Sequence, residues 1–190
     1  MSRHCTTRRA RSKPSAPLRW LLKNGHVTNT KTVLDYGCGH GRDVVHMLEL
    51  FGADSFVAGY DPFVSPDSML TSNTVDDAFI AEQLRVRPAL WDTVLLTYVV
   101  NVMPFEAQKR LMSEVLPLIE WGGGELYVTV RRDVWRDGPV GHGYQCDVRF
   151  AELMNEVALP WAQWRSIRHV KSRFEIFLVD RKKTPTSVNK

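Results

Sequence analysis

Cysteine is scarce in this chain: Cys5, Cys38 and Cys146 are the only three among 190 residues, and no two form a Cys-x-x-Cys pair. That count and spacing indicate neither a zinc site nor a disulfide framework, so no metal is expected and a reducing, cytoplasmic setting is. No apolar run reaches about eighteen residues, which argues against a helical membrane span. No apolar segment follows the basic N-terminus, as a signal peptide would require. No glycine turn leads into Gly-Lys-Ser/Thr, which excludes a Walker-type phosphate loop. Acids are missing from the first 34 residues, yet that stretch holds Arg3, Arg8, Arg9, Arg11, Lys13, Arg19, Lys23 and Lys31. Without those eight, 17 basic residues face 21 acidic ones, so the rest of the chain is close to −4 while the whole is +4. Residues 1–12 and 181–190, basic and poor in apolar side chains, read as disordered tails around one domain over 13–180. Such tails can hold phosphate backbones, and equally they can serve solubility. Oligomeric state is not legible.

What is present is concentrated between Val33 and Asp43. Val33-Leu34-Asp35-Tyr36-Gly37-Cys38-Gly39-His40-Gly41-Arg42-Asp43 reads as a strand, a tight loop and a helix start, with glycines at alternate positions. In an open α/β sheet that junction binds nucleotide-like cofactors. A dinucleotide fingerprint would put its third glycine at position 42, where this chain has Arg42. Asp35 at the strand end suits an ammonium group better than a pyrophosphate. About twenty residues on, Phe56-Val57-Ala58-Gly59-Tyr60-Asp61 reads as the next parallel strand, its acid placed to accept two ribose hydroxyls. Trp91 to Pro104 supplies a third element, an apolar strand over 93–100 whose polar end brings Thr97, Tyr98 and Asn101 to the carboxyl edge.

These residues carry a resemblance. Asp35-x-Gly37-x-Gly39-x-Gly41 resembles motif I of Rossmann-like methyltransferases that depend on S-adenosylmethionine (SAM). The resemblance implies a three-layer α/β fold, with a mostly parallel sheet and an antiparallel C-terminal hairpin strand. It implies SAM as cofactor and S-adenosylhomocysteine (SAH) as product. Asp35, Tyr36, Gly37, Cys38, Gly39, Gly41, Asp43, Asp61, Pro62, Thr97 and Tyr98 would then line the cofactor. Tyr98 and Asn101 would orient the acceptor, and Arg131 and Arg132 could bind an anionic substrate or merely flank a strand end. A narrower similarity runs from Lys13-Pro14-Ser15 through Gly59-Tyr60-Asp61-Pro62 and Tyr98-Val99-Val100-Asn101 to Thr129-Val130-Arg131-Arg132-Asp133. It resembles a group of bacterial and phage methyltransferases, some of them associated with DNA phosphorothioation genes. That likeness implies nucleic acid as the leading acceptor.

Acceptor motifs are tested by their absence. The Asp/Asn/Ser-Pro-Pro-aromatic sequence of amino-methylating DNA enzymes is replaced by Asn101-Val-Met-Pro104, and no Pro is followed by Cys, as cytosine-C5 enzymes require. Direct in-line displacement at nitrogen or oxygen is left, a reaction that needs mainly proximity and alignment. A small metabolite as acceptor, a SAM sensor without turnover, and more remotely a nicotinamide enzyme are the alternatives. Elsewhere the pattern predicts helices over 17–25, 42–51, 76–87, 104–119 and 148–157, a strand over 125–131 and a hairpin of 165–170 with 174–179. The span between Asp61 and Trp91 is short for a full strand and helix, so a stunted strand is expected there. Trp161 and Trp164 could stack a base, though core packing is the expected use; His142 would lie in a turn or lid.

Overall fold

The computed structural model describes residues 13–52, 55–86, 91–119, 124–134, 137–140, 143–157, 159–168 and 173–181, apart from the side chains of residues 66, 84 and 86. The expected segments 1–12, 121–123, 141–142 and 182–190 lie outside the described residues. Arg181 is the last residue of a strand, so the C-terminal basic stretch starts one residue later than its composition indicates.

Helix α1 (Ala16–Lys23) opens where Ser15 Oγ accepts the Leu18 amide at 3.2 Å, with Pro17 in the first turn. Then come β1 (Val33–Tyr36), α2 (Arg42–Phe51), β2 (Val57–Tyr60), α3 (Asp77–Val86), β3 (Thr93–Thr97) and α4 (Phe105–Val115). They are followed by β4 (Glu125–Arg131), the short pair β5 (Gly138–Val140) and β6 (Gly143–Gln145), α5 (Phe150–Val157), β7 (Ala162–Arg168) and β8 (Phe174–Arg181). The six-stranded sheet runs β2-β1-β3-β4-β8-β7. The first four strands are parallel, whereas β8 lies antiparallel to β4 and β7 antiparallel to β8.

Leu18, Leu21, Val44 and Met47 from α1 and α2 cover one face with Val33 and Leu95. Ile80, Leu111, Met112, Leu153 and Met154 from α3, α4 and α5 cover the other with Leu34 and Leu96. Consecutive residues of β1 and β3 therefore serve opposite cores, which is why these strands read as unbroken apolar runs. Trp164 and Phe177 pack on Phe150 at ring distances of 5.6 and 4.1 Å, so that indole belongs to the packing.

Two differences from the sequence pattern have physical causes, and the stunted strand takes its expected place. The apolar run through Val100 ends as a strand at Thr97, because Tyr98 adopts φ +64° and Val100–Val102 form a single 3-10 turn. Helix α4 gives way at Val115 to a 3-10 turn containing Pro117, whose ring and missing N–H prevent continuation. The stunted strand is a single bridge, Thr74 beside Gly59, with Val75 donating to the Gly59 carbonyl at 2.9 Å.

Gly59 is also where the glycine loop and α2 press onto β2. A Cβ there would lie 2.8 Å from Cys38 Sγ and 2.9 Å from Val44 Cγ2. Gly59→Ala is expected to lower stability by about 1–3 kcal/mol, the range for overpacking, as read by urea unfolding.

Candidate functional site

Strands β1 and β3 are neighbours, yet the chain leaves β1 toward β2 before crossing back to β3. The crevice above the carboxyl ends at that reversal is where open α/β sheets bind ligands. The glycine loop sits there. Gly37, Gly39 and Gly41 take φ of +78°, +59° and +76°, the left-handed region that disfavours any side chain. A Cβ on Gly37 would strike Val99 Cγ2 at 2.5 Å, whereas one on Gly39 would meet nothing within 4 Å. The loop is thus pressed against the β3 exit at its first glycine and open at its second, a cradle that leaves backbone exposed to a ligand. Amides of Gly37 and Cys38 both donate to the Tyr60 carbonyl, at 2.6 and 3.1 Å, tying the loop to β2.

Three acids surround this loop. Asp61 follows β2; its Oδ2 accepts the Gly39 amide at 2.8 Å and its Oδ1 the Phe63 amide at 2.9 Å. Those bonds orient the carboxylate and leave it further lone pairs for hydroxyl donors. Asp43, in the first turn of α2, accepts the Ser15 amide on Oδ1 at 2.8 Å and so pins the start of α1 over the loop. Asp35 at the middle of the site is 3% exposed, and no donor among the described residues reaches its carboxylate. Burial, then the neighbouring charges of Asp43 and Asp61, push its pKa well above the ordinary carboxylate range. A buried, unpartnered carboxylate amid two others fits a cationic ligand and repels a phosphate. An ammonium and a sulfonium beside a ribose match that donor set, so the residues fit SAM.

This geometry sets a pH dependence. An ammonium binds the ionised form of Asp35, and the ligand-free site holds a proton there to higher pH than an ordinary carboxylate does. Cofactor affinity is expected to rise about tenfold per pH unit until the raised pKa of Asp35 is passed, to level off, and to fall where the ligand's own ammonium deprotonates. Calorimetry across buffers of different ionisation enthalpy measures this, with proton release on the rising limb.

The remaining expected site residues divide. Thr97 ends β3 half-buried, Pro62 is exposed beside Asp61, and Cys38 lines the loop with its sulfur 3.9 Å from Met69 Sδ. Burial, with the charges of Asp35 and Asp61, pushes the Cys38 thiol far up. Tyr36 is corrected: its ring lies in the core edge-on to Tyr60 at 4.8 Å, supporting the loop from beneath. Tyr98 is the one non-glycine residue with positive φ among those described, the kind of strain that clusters at functional sites. Burial chiefly pushes its phenol up to about 12, so it stays protonated and can donate but not act as a base at neutral pH.

Asn101 is also corrected. It is 0% exposed and its amide is wholly spent on backbone: Oδ1 accepts the Arg131 amide at 2.6 Å, while Nδ2 donates to the carbonyls of Cys146 at 2.8 Å and Arg131 at 3.4 Å. It clamps loops and does not face an acceptor. Arg131 is held by both oxygens of Asp133, at 2.8 and 3.0 Å, and Arg132 by Glu175 and Asp147. Two residues escaped the sequence reading. Phe63, 64% exposed, donates its amide to Asp61 and so sets an exposed aromatic residue just past that acid. Arg168 lies over the Phe174 ring at 3.7 Å and beside Trp20 at 5.8 Å. An aromatic directly after the Asp61-Pro62 turn was a usable signal for the first; nothing local marked the second.

A doubly covered parallel sheet with a glycine cradle and an acid on each of two adjacent strands defines a class I nucleoside-cofactor protein. The chain belongs to the methyltransferase-domain family, whose model matches residues 7–176. No curated protein sequence matches it significantly. Among solved structures, a SAM-dependent methyltransferase from Bacteroides fragilis in complex with SAH is similar at 14% identity and a TM-score of 0.62, over 90% of this chain and 79% of that one. Magnesium protoporphyrin IX methyltransferase from Synechocystis PCC 6803 with bound SAM is 16% identical, TM-score 0.52, over 88% and 77%. The mitomycin 7-O-methyltransferase MmcR is 13% identical, TM-score 0.57, over 87% and 54%. At these identities the likeness is one of fold, and it matches the Rossmann-like architecture found here.

Proposed function

We propose that this chain is a SAM-dependent methyltransferase that moves the methyl group to nitrogen or oxygen of its acceptor by direct in-line displacement. The observation that carries the reading is Asp35, a buried carboxylate without a hydrogen-bond donor beneath the glycine cradle. Asp35 holds the ammonium, Asp61 orients the ribose, and Phe63 faces the adenine. When bound, SAM supplies a methyl group on a sulfonium, a leaving group needing no activation. Tyr98 stands at the end of β3 between cofactor and acceptor, donating a hydrogen bond that aligns the nucleophile. Burial of the Cys146 thiol pushes it up to about 11, and Cys38 is higher still, so neither supports a thiolate route.

For the acceptor we infer a small molecule. Arg131 and Arg132, which could have bound an anionic substrate, are both occupied by acids at this edge. A nucleic-acid acceptor, with the similarity to enzymes found beside phosphorothioation genes, is the second reading. The eight basic residues ahead of Asp35 favour it. The test is transfer of tritiated methyl from SAM into DNA, RNA, protein and small-molecule fractions of host extract, with Asp35→Ala as control. Counts in the small-molecule fraction that vanish in Asp35→Ala are expected. Counts in DNA or RNA, lost on deleting residues 1–12, would establish the second reading. Cofactor binding without counts in any fraction would make the chain a SAM sensor instead.

A further inference from the structure

Strand β7 runs parallel to β4 across β8, so its last residue, Arg168, emerges at the same carboxyl edge as Tyr98 and Arg131. It lies on the far side of the sheet order from β2 and Asp61. Its guanidinium stacks on Phe174 at 3.7 Å and approaches Trp20 of α1 at 5.8 Å. The Phe174 ring in turn meets Tyr98 edge-on, with centroids 6.3 Å apart. The charges of Arg131 and Asp133, then of Arg168 and Asp43, all reach the Tyr98 phenol, so Phe174 and Tyr98 lie on the same side of this arginine's surroundings.

Arginines elsewhere on these strands are matched by acids. Arg131 has Asp133, Arg132 has Glu175 and Asp147, and Arg165 has Asp180 at 2.9 Å. Arg168 has no acidic partner among the described residues, and its Nη1 is buried without any hydrogen-bond acceptor. A guanidinium carries five donors and cannot shed its charge, so leaving it unmatched beside two aromatic rings is costly. Burial accordingly lowers its hold on its proton from the usual value. A planar anion would satisfy the fork in bidentate fashion while the rings accept its apolar body.

We propose that Arg168 binds a single carboxylate on a small, planar methyl acceptor, in a box formed by Trp20, Phe174 and Tyr98. The inference rests on the methyl-transfer reading for its orientation toward the cofactor. One guanidinium without an acidic partner among the described residues matches a monoanion. The body of the acceptor then lies along the rings, and its nucleophilic atom reaches past Tyr98 toward the methyl group.

The test is an NMR titration of the full chain saturated with SAH, using benzoate, the neutral isostere benzamide, inorganic phosphate and a short single-stranded DNA as probes. SAH affinity is measured first and separately, so a protein that does not bind it defeats the cofactor reading and not this one. Benzoate is expected to shift the Trp20 indole and Arg168 Nε signals, and to bind about tenfold or more tightly than benzamide. Arg168→Gln should remove that preference and Arg168→Lys should restore part of it, with SAH affinity within about twofold in both. Equal binding of benzoate and benzamide, or none by either, would overturn the proposal. So would tighter binding of phosphate or DNA that depends on Arg168, or loss of SAH affinity in Arg168→Gln, which would move the residue to the cofactor.

Discussion

Asp35→Asn should abolish useful cofactor binding and at the same time raise the melting temperature of the ligand-free protein. The two effects share one cause. In the folded chain Asp35 is buried, has no donor, and faces Asp43 and Asp61, so its carboxylate is harder to ionise than in the unfolded chain. A folded-state pKa raised above the unfolded one contributes stability that is complete below the unfolded pKa and is lost as pH climbs through the folded pKa. Above the ordinary carboxylate range the ligand-free fold therefore carries a cost, that of keeping the proton or of burying a lone charge. The isosteric amide removes that cost and flattens the stability–pH slope over this window. It also removes the anion that an ammonium requires, and the loss in SAM affinity should be about 100-fold, the upper range for a charge-assisted hydrogen bond. Scanning calorimetry with and without SAM reads both effects. A variant less stable than wild type at neutral pH, or one that still binds SAM normally, would contradict this account of the site.

Asn101→Ala carries a large expected stability loss. Its side chain answers the Arg131 amide, the Arg131 carbonyl and the Cys146 carbonyl from a position without solvent access. Truncation would leave a buried N–H and two carbonyls short of partners and open a cavity, together about 3–5 kcal/mol. That is a large share of the ~5–15 kcal/mol that holds a typical domain together. Asn101→Asp keeps the acceptor for the Arg131 amide but turns its other oxygen on two carbonyls and buries a charge, so it should lose at least as much, and both variants should retain SAM affinity wherever they remain folded. A direct acceptor role predicts the reverse: full stability with lost turnover. Chemical unfolding alongside single-turnover methyl transfer separates the two.

Much of this site could be read along the chain because its parts are local. Three alternating glycines can be read as positive-φ positions without knowing what they touch, since the restriction comes from the backbone itself. Asp35 and Asp61 close adjacent strands, and the sheet's βαβ connectivity brings strand ends together wherever it forms. The hairpin of β7 and β8 and the single-bridge remnant at Thr74 were legible for the same reason, as spacing and alternation. The place of Tyr98 at the end of β3 was legible, but its left-handed backbone was not, because a bulky aromatic gives no local sign of that conformation.

The sequence by itself determined the parallel α/β architecture, the glycine cradle and the acids around it. Each follows from short-range pattern and from backbone sterics. Only the tertiary structure decided which polar side chains remain free to face an acceptor. Asn101 looks exposed at a strand end until Arg131, 30 residues on, and Cys146, 45 residues on, converge upon it. Arg131 and Arg132 look available until Asp133, Glu175 and Asp147 claim them, while Arg168, one basic residue in an ordinary hairpin, has no acidic partner among the described residues and a buried Nη1 without an acceptor. Hydrogen bonds and ion pairs act over a few ångströms of space, not over sequence distance, so their partners exist only once the strands have been laid side by side.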